Sequence, residues 1–163
     1  HAQKQAVILH IDYMYDPGMA LTWITDEQLK EGIRHCKYLI GNDYEIAMIS
    51  KRLSATVKQW ISAGVIVITT LGEKGATIEA LDSTYLIKPV KVKKLGSTTG
   101  AGDAWRGGFF AGLQRGFDLE TSGQMGALAA TYAVELYGGQ EHSYTKSLFT
   151  KRYKETYNKT LKI

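Results

Sequence analysis

The stretch Thr98-Thr99-Gly100-Ala101-Gly102-Asp103 decides the fold of this 163-residue chain. A β-rich, lysine-rich run at residues 88–94 precedes it, and Trp105, Phe109 and Leu113 follow at a spacing of four, as on one face of a helix. The small residues are therefore predicted at a strand-to-helix turn that opens a helix. The free N–H groups of a first helical turn and the helix dipole form an anion site, and glycine lets a ligand approach the backbone closely.

Asp103 in this turn has two interpretations. The first is helix capping and complementarity with the helix dipole, which are common at helix N-termini, and spacing alone favours it. The second is a general base held against a bound phosphate. Two other phosphate-binding motifs are excluded. The dinucleotide fingerprint requires a glycine where Trp105 stands, and Gly72-Glu73-Lys74-Gly75-Ala76 lacks the Gly-Lys-Ser/Thr end of a P-loop.

Residues 97–105, Ser-Thr-Thr-Gly-Ala-Gly-Asp-Ala-Trp, resemble the Asp-Thr-x-Gly-Ala-Gly-Asp-x-Phe signature of the ribokinase (PfkB-type) carbohydrate kinase family. The resemblance implies that Gly100-Ala101-Gly102 is an anion hole for the transferred phosphoryl group and that Asp103 takes the proton from the substrate hydroxyl. Ser97 and Trp105 depart from the signature. The Ser97 position lies in a loop that helps to hold a monovalent cation in some members. This departure therefore counts against a monovalent cation more than against phosphoryl transfer.

Asn42-Asp43-Tyr44-Glu45 is a second candidate motif. An N-cap residue followed by glutamate at the third position is typical of a capping box, and for the motif alone this interpretation is favoured. Its place after a strand and ahead of the Gly-Ala-Gly-Asp turn resembles the family's Asn-x-x-Glu motif. The resemblance implies that Asn42 belongs to the nucleotide site and that Glu45 orients Mg²⁺ through water, which fits an ion that keeps few protein ligands.

The stretch from Thr70 to Gly75 follows the apolar strand pattern at residues 65–68 and precedes a predicted β-hairpin near residues 76–95, whose strands alternate over 76–80 and 83–87. One interpretation is a turn between two strands, and the other is nucleotide contact at the carboxyl end of a parallel strand. The two are compatible, because a glycine turn exposes backbone amides. The stretch resembles the family's Thr-x-Gly-x-x-Gly segment, which implies that Thr70, Gly72 and Gly75 border ATP.

Apolar side chains recur at helical spacing over residues 125–136, which indicates a helix facing the core. In the family this helix also lines the adenine pocket, so Ala129 and Ala133 are expected at the nucleotide. Gly138-Gly139 is predicted to end the helix. Gly139-Gln140-Glu141-His142 resembles the Gly-x-Gln-Glu run of archaeal-type sugar and nucleoside kinases.

The order of elements predicts a parallel α/β architecture. A first strand is predicted at residues 5–13, followed by an Asp16-Pro17-Gly18 turn that resembles a family loop, and by a helix from Asp26. The family resemblance runs from residue 6 to residue 157. It implies a three-layer α/β/α fold with a mostly parallel sheet, as one ribokinase-like domain over residues 1–163.

Family members are about twice as long, so the chain resembles their C-terminal, ATP-binding half. The absent half supplies most substrate contacts and the β lid. A sheet cut at this point exposes a strand edge and apolar surface, so a homo-oligomer or a missing N-terminal half is expected as partner.

Composition is ordinary for a soluble globular protein, with 44% hydrophobic and 22% charged residues. No apolar run approaches the ~20 residues of a membrane helix, so no membrane partner is expected. Cys36 is the single cysteine, which excludes an internal disulfide and favours a reducing, cytoplasmic setting. The net charge of +4 is concentrated in residues 146–163, which favours the solvated face of a terminal helix over a nucleic-acid site.

The predicted function is ATP-dependent phosphoryl transfer to a hydroxyl of a sugar or nucleoside, with ATP and Mg²⁺ as cofactors. The alternative is a nucleotide-binding remnant or subunit without independent turnover. A third hypothesis, a nucleic-acid-binding protein that uses the basic tail, is disfavoured because the kinase motifs are intact. The residues that would select the substrate are not among those recognised, so the sequence does not name it.

Overall fold

The computed structural model describes residues 5–6, 8–9, 11–137 and 141–163. The chain forms two compact units. The first comprises His1–Gly72 with Thr77–Tyr85, and the second comprises Glu73–Ala76 with Leu86–Ile163. The assignment of residues 1–163 to one domain stays a prediction.

A five-stranded sheet has its strands in chain order. They are β1 (Met14–Tyr15), β2 (Tyr38–Asn42), β3 (Ile66–Thr70), β4 (Ala76–Ala80) and β5 (Ser83–Ile87). The pairs β1–β2 and β2–β3 are parallel. Leu39, Ile40, Val67 and Ile68 are buried, as is typical of parallel strands covered on both faces. β4 and β5 are joined by two residues, a connection that only an antiparallel hairpin allows.

The bounds predicted for the first strand were wrong. Gln5, Ala6 and Ile8 are helical, and the first strand begins only at Met14. A short apolar run is compatible with either helix or strand. The two predicted hairpin strands, Ala76–Ala80 and Ser83–Ile87, are confirmed, whereas the β-rich run at residues 88–94 contains neither helix nor strand. Pro89 lacks the N–H group that would continue the strand pairing.

The helices of the first unit begin at side-chain caps. They are α1 (Asp26–Arg34), α2 (Asp43–Leu53) and α3 (Val57–Ser62), and a 3₁₀ helix (Gly18–Thr22) precedes them. Thr25, Asn42 and Thr56 each form a complete capping box with the residue three positions later. The helix start near Asp26 is thereby confirmed. Leu29 and Ile49 are fully buried in the core of this unit.

The second unit contains α4 (Ala101–Gln114), α5 (Leu119–Val134) and α6 (Lys146–Tyr157). Glycines allow α4 and α5 to pack closely: a Cβ at Gly108 would lie 2.6 Å from the Met125 carbonyl oxygen. Trp105 is buried and stacks on Phe109, with ring centroids 5.2 Å apart. The predicted apolar face of α5 is buried, which confirms that it belongs to the core.

The basic C-terminal stretch forms the predicted terminal helix, α6, although its surface is not wholly solvated because Phe149, Arg152 and Tyr153 are buried. The predicted stop at Gly138-Gly139 and the first two residues of the Gly139-Gln140-Glu141-His142 run lie outside the described residues. None of the helices in the described ranges is long and apolar enough to cross a bilayer.

Candidate functional site

The predicted phosphate turn, residues 98–103, lies in the second unit at the start of α4. Gly100 is the N-cap residue and has φ 81°, a left-handed conformation that glycine adopts without strain. No side chain caps this helix. Within the described residues, the amides of Gly102 and Asp103 donate to no protein acceptor. Two free N–H groups and the positive end of a 14-residue helix therefore meet at one point, which is an arrangement that binds anions.

Asp103 lies in the first turn of α4 with its side chain 91% exposed. The Arg106 Nη1 donates a hydrogen bond to the Asp103 Oδ1 at 3.1 Å. A Cβ at Gly102 would lie 2.9 Å from the same Nη1, so the guanidinium group lies against the turn itself. Burial lowers the pKa of Arg106. The exposed carboxylate is thus accessible to a substrate and is held from one side by a positive group.

Arg106 was not among the predicted site residues. A signal for it exists in the sequence, because an acidic and a basic residue three positions apart lie on the same face of a helix and interact. The helix start is predictable from the turn, but the family signature ends before Arg106.

The first unit brings together three of the predicted residues at the carboxyl ends of β2 and β3. Asn42 and Thr70 are register partners, and the Thr70 hydroxyl donates to the Gly41 carbonyl oxygen at 3.5 Å. Asn42 caps α2: its side-chain oxygen accepts from the Glu45 amide at 2.8 Å. Gly72 follows β3 with φ 58°. Ligands of open parallel sheets bind at this edge.

Glu45 returns the capping bond, because its Oε2 accepts from the Asn42 amide at 2.8 Å. The capping interpretation of the motif is therefore confirmed. The cap uses Oε2 of Glu45 and does not use Oε1. No group of three His, Cys, Asp or Glu side chains suited to a metal occurs in the described ranges. Mg²⁺ usually retains waters and takes one or two carboxylates, so Glu45 fits this ion as a single ligand or through water.

Three further predicted residues have clear packing roles. Gly75 has φ 93°, and a Cβ there would overlap the Ile87 carbonyl oxygen, so glycine is needed where the chain enters β4. Ala129 and Ala133 are buried in the second unit, and Ala129 packs against Gly108 of α4. The contact of these three residues with a nucleotide stays a prediction.

Ser97 is engaged locally. Its hydroxyl accepts from the Thr99 amide at 3.2 Å, and its own amide donates to the Val134 carbonyl oxygen at 3.2 Å. The loop that precedes the phosphate turn is thereby attached to the end of α5, and no role in cation binding is assigned to it.

A model of the pfkB family carbohydrate kinases matches residues 1–146. The chain is 35% identical over 126 residues to a nucleoside kinase of Methanocaldococcus jannaschii, and this alignment covers 77% of this chain and 42% of that protein. It is 32% identical over 143 residues to an uncharacterized sugar kinase of Archaeoglobus fulgidus, and that alignment covers 86% of this chain and 57% of the relative.

Among solved structures, the nucleoside kinase of Burkholderia thailandensis in complex with inosine superposes with a TM-score of 0.94 at 27% identity. The match covers 98% of this chain and 53% of that chain. A second structure of the same kinase, in complex with ADP-inosine, gives a TM-score of 0.93. The predicted ribokinase-like α/β fold with a mostly parallel sheet is confirmed. The chain spans about half the length of these relatives.

Proposed function

Because the chain belongs to the pfkB family of carbohydrate kinases, we propose that it is the ATP-binding and catalytic part of a nucleoside or sugar kinase. The reaction is transfer of the γ-phosphoryl group of ATP to a hydroxyl group of the substrate. The observation that carries the proposal is the start of α4, where free amides and the Asp103 carboxylate stand side by side. The relatives named nucleoside kinase and sugar kinase support the substrate class.

In the proposed reaction, the Asp103 carboxylate takes the proton of the substrate hydroxyl. The hydroxyl oxygen forms a bond to the γ-phosphorus, and the bond from that phosphorus to the oxygen bridging it to the β-phosphate breaks, which releases ADP. Phosphoryl transfer depends on positioning and charge stabilisation more than on covalent help from the protein. An exposed aspartate is sufficient as the base, because the proton leaves late in such a reaction.

The first turn of α4 supplies the charge stabilisation. The transferred group is anionic, and the amides of Gly102 and Asp103, which donate to no protein acceptor in the described residues, are proposed to donate to its oxygens. Gly100 permits the backbone conformation, and Ala101 is small enough to leave the approach open. Arg106 keeps the Asp103 carboxylate beside these donors and adds a positive charge next to the transferred group.

In the first unit, Asn42, Thr70 and Gly72 are proposed to contact the nucleotide. In the second unit, Gly75, Ala129 and Ala133 are proposed as nucleotide contacts. Glu45 is proposed to hold Mg²⁺ directly or through water, by the carboxylate oxygen that the helix cap does not use. An ion held there would supply positive charge against the negative charge of the phosphates.

The test is an Asp103→Asn variant assayed with Mg·ATP and a nucleoside acceptor. Asparagine retains the size and the helix position but cannot accept the proton. We expect ATP affinity within about twofold of the parent and a loss of turnover of at least about 100-fold, as for removal of a general base. An Asp82→Asn variant, in the exposed two-residue turn between β4 and β5, is the matched control for loss of a surface carboxylate. Turnover of Asp103→Asn equal to that of this control would remove Asp103 from the role of base.

A second candidate is a nucleotide-binding part without independent turnover. It is favoured by the coverage of only 42–57% of the relatives' length. The residues that complete the substrate pocket would then come from a second copy of the chain or from a segment outside it. ATP binding without phosphoryl transfer, followed by transfer on addition of the missing half, would identify this case.

A further inference from the structure

Residues 88–99, here called the lead-in segment, connect β5 to the phosphate turn. They contain neither helix nor strand. A segment without regular hydrogen bonding takes its position from the groups that it contacts. In this chain those groups belong to the end of α5 and to α6, all within the second unit.

The main contact is an ion pair between Glu135 and Arg152. Arg152 Nη1 lies 2.8 Å from Glu135 Oε2, and Nη2 lies 2.6 Å from Oε1, so the pair is bidentate. The two side chains are only 14% and 8% exposed. The Arg152 guanidinium carbon also lies 4.8 Å from the centre of the Tyr132 ring.

Each member of the pair also binds the backbone of the lead-in segment. Arg152 Nη2 donates to the Lys91 carbonyl oxygen at 2.8 Å, and Glu135 Oε1 accepts from the Lys93 amide at 2.7 Å. The pair therefore holds the backbone on both sides of Val92. At the start of the lead-in segment, the Tyr157 hydroxyl donates to the Lys88 carbonyl oxygen at 3.0 Å.

The end of α5 holds the other half of the segment. The amides of Gly96 and Ser97 both donate to the Val134 carbonyl oxygen, at 2.8 and 3.2 Å. A Cβ at Gly96 would lie 2.6 Å from the Leu136 carbonyl oxygen, so the backbones are in close contact. Since Glu135 lies between Val134 and Leu136, the ion pair fixes the same stretch of α5 that receives the lead-in segment.

We propose that Glu135 and Arg152 are positioning residues for the phosphate turn. The pair fixes the lead-in segment so that the first-turn amides of α4 stay aligned on the transferred phosphoryl group. This inference rests on the proposed function for what the turn does. Stability alone is a weak explanation, because apolar residues of similar volume often replace a buried ion pair without loss. They could not bond the Lys91 carbonyl and the Lys93 amide.

The expected effect is on turnover rather than on ATP affinity. Displacing reacting groups by about 1 Å can cost on the order of 100-fold in rate. Arg152→Lys keeps the charge but loses the planar fork. Glu135→Gln keeps the shape but loses the charge. For both variants we expect kcat to fall at least about tenfold, with the KM for ATP within about twofold of the parent.

Lys159→Gln is the matched control. Lys159 Nζ pairs with Glu120 Oε2 at 2.9 Å, so it also attaches the C-terminal stretch to α5, but it has no contact with the lead-in segment. The ion pair of Lys159 with Glu120 is half-exposed, so its removal in Lys159→Gln is expected to leave kcat unchanged.

Amide hydrogen exchange supplies a readout besides activity. In Arg152→Lys and Glu135→Gln, exchange at Gly96, Ser97, Ala101 and Ala104 should accelerate at least about tenfold, while the core of α5 near Leu128 exchanges as in the parent. A purely structural role would instead accelerate the α5 core by the same factor as the turn.

Local acceleration with reduced kcat supports the proposal. Uniform acceleration, unchanged exchange at Ala101 and Ala104, or a kcat equal to that of Lys159→Gln would overturn it. If the parent chain transfers no phosphoryl group while the exchange pattern is as expected, the positioning of the turn is supported and the proposed function is what fails.

Discussion

Asp103 and Cys36 both have reactive functional groups, but their side chains differ in exposure to solvent. The Asp103 carboxylate is almost fully open to solvent, whereas Cys36 is 6% exposed in the core of the first unit. The Cys36 thiol donates to the Ile33 carbonyl oxygen at 3.3 Å. Burial raises the pKa of Cys36 to about 12. An exposed carboxylate and a buried thiol that stays protonated near neutral pH are suited to different roles, the first to the proposed chemistry and the second to packing.

The Cys36 thiol is therefore expected to be inert in the folded chain. Only the thiolate attacks a disulfide reagent, and at about pH 8 a thiol with this pKa is almost entirely protonated. The measurement is reaction with an aromatic disulfide reagent, followed by absorbance. The same chain unfolded in guanidinium chloride is the control and should react completely. Complete reaction of the native chain at the rate of the unfolded control would contradict the burial of this side chain.

At the scale of single residues, local structure was predictable where a motif is local. The capping box of Asn42 with Glu45 and the helix start at Gly100 are confirmed, and the functional roles of Glu45 and Asp103 stay predictions. The ion pair of Glu135 and Arg152 was not predicted, because its members lie 17 residues apart on either side of a helix connection. Spacing carries no signal for contacts that only the packing of two helices creates.

At the level of elements, the N-terminus of α2 combines a structural role with a proposed functional one. Asn42 and Glu45 close a reciprocal capping box, and Glu45 is proposed to hold Mg²⁺ as well. Two substitutions separate the roles, because only one of them removes the cap.

Asn42→Ala should reduce the free energy of unfolding by about 1 kcal/mol, the usual contribution of an N-cap side chain. Glu45→Gln keeps an oxygen for the Asn42 amide, so its stability should stay within about 0.5 kcal/mol of the parent. The Mg²⁺ concentration needed for half-maximal activity should rise about tenfold in Glu45→Gln. Urea denaturation and a Mg²⁺ titration measure the two effects. An unchanged Mg²⁺ requirement would leave Glu45 with the capping role alone.

The packing of α4 against α5 is tested by two neighbouring glycines. A Cβ at Gly107 would have no atom within 4 Å, whereas a Cβ at Gly108 would meet the Met125 carbonyl and the Ala129 methyl group. Gly107→Ala should stabilise the chain by about 0.5–1 kcal/mol because alanine favours helix. Gly108→Ala should destabilise it by about 1–3 kcal/mol through overpacking. Equal effects in thermal or urea unfolding would contradict the close contact.

Elements were predicted best where the sequence contains both an N-cap residue and apolar residues at helical spacing. α1, α2 and α5 have N-cap residues and apolar faces, and their existence was recognised. β1 was misplaced because it has only two residues, too few to show a period. The strand expected ahead of the phosphate turn did not form, because residues 88–94 alternate like a strand yet bind their backbone groups to residues at the end of α5 and in α6.

At the scale of the whole molecule, the pH dependence of stability should reflect Glu135. Its pKa is lowered mainly by the hydrogen bonds from Arg152, with help from the Lys93 amide and against an opposing effect of burial. A carboxyl group with a lowered pKa in the folded state stabilises the fold above its unfolded pKa of about 4.3, and this contribution is lost as the pH falls through the folded pKa.

Urea unfolding at about pH 7 and about pH 3 measures this contribution. The parent should lose more free energy of unfolding on acidification than Glu135→Gln, whose side chain does not titrate. The Glu120→Gln variant, with a half-exposed partner, is the control and should lose about as much as the parent. An equal loss in the parent and in Glu135→Gln would show that the buried pair is not linked to proton binding.

The fold class was predictable for the whole chain because several weak signals occur in one order. Alternating strand and helix patterns indicate a parallel α/β sheet, and the motifs around Asn42, Thr70 and Gly100 each follow a buried strand or precede a helix. The detailed site was less predictable. Free amides, an exposed carboxylate and a guanidinium group over the turn are properties of three-dimensional packing, and the sequence contains only the residue types.

The most direct test of the central claim is Mg·ATP-dependent phosphorylation of a panel of nucleosides and sugars by this chain, with ATP binding measured in the same samples. We predict ATP binding, ADP release that depends on an alcohol acceptor, and a phosphorylated product. ATP binding without any product would favour the nucleotide-binding part that lacks independent turnover. Absence of both ATP binding and product would contradict the assignment of a kinase site to this chain.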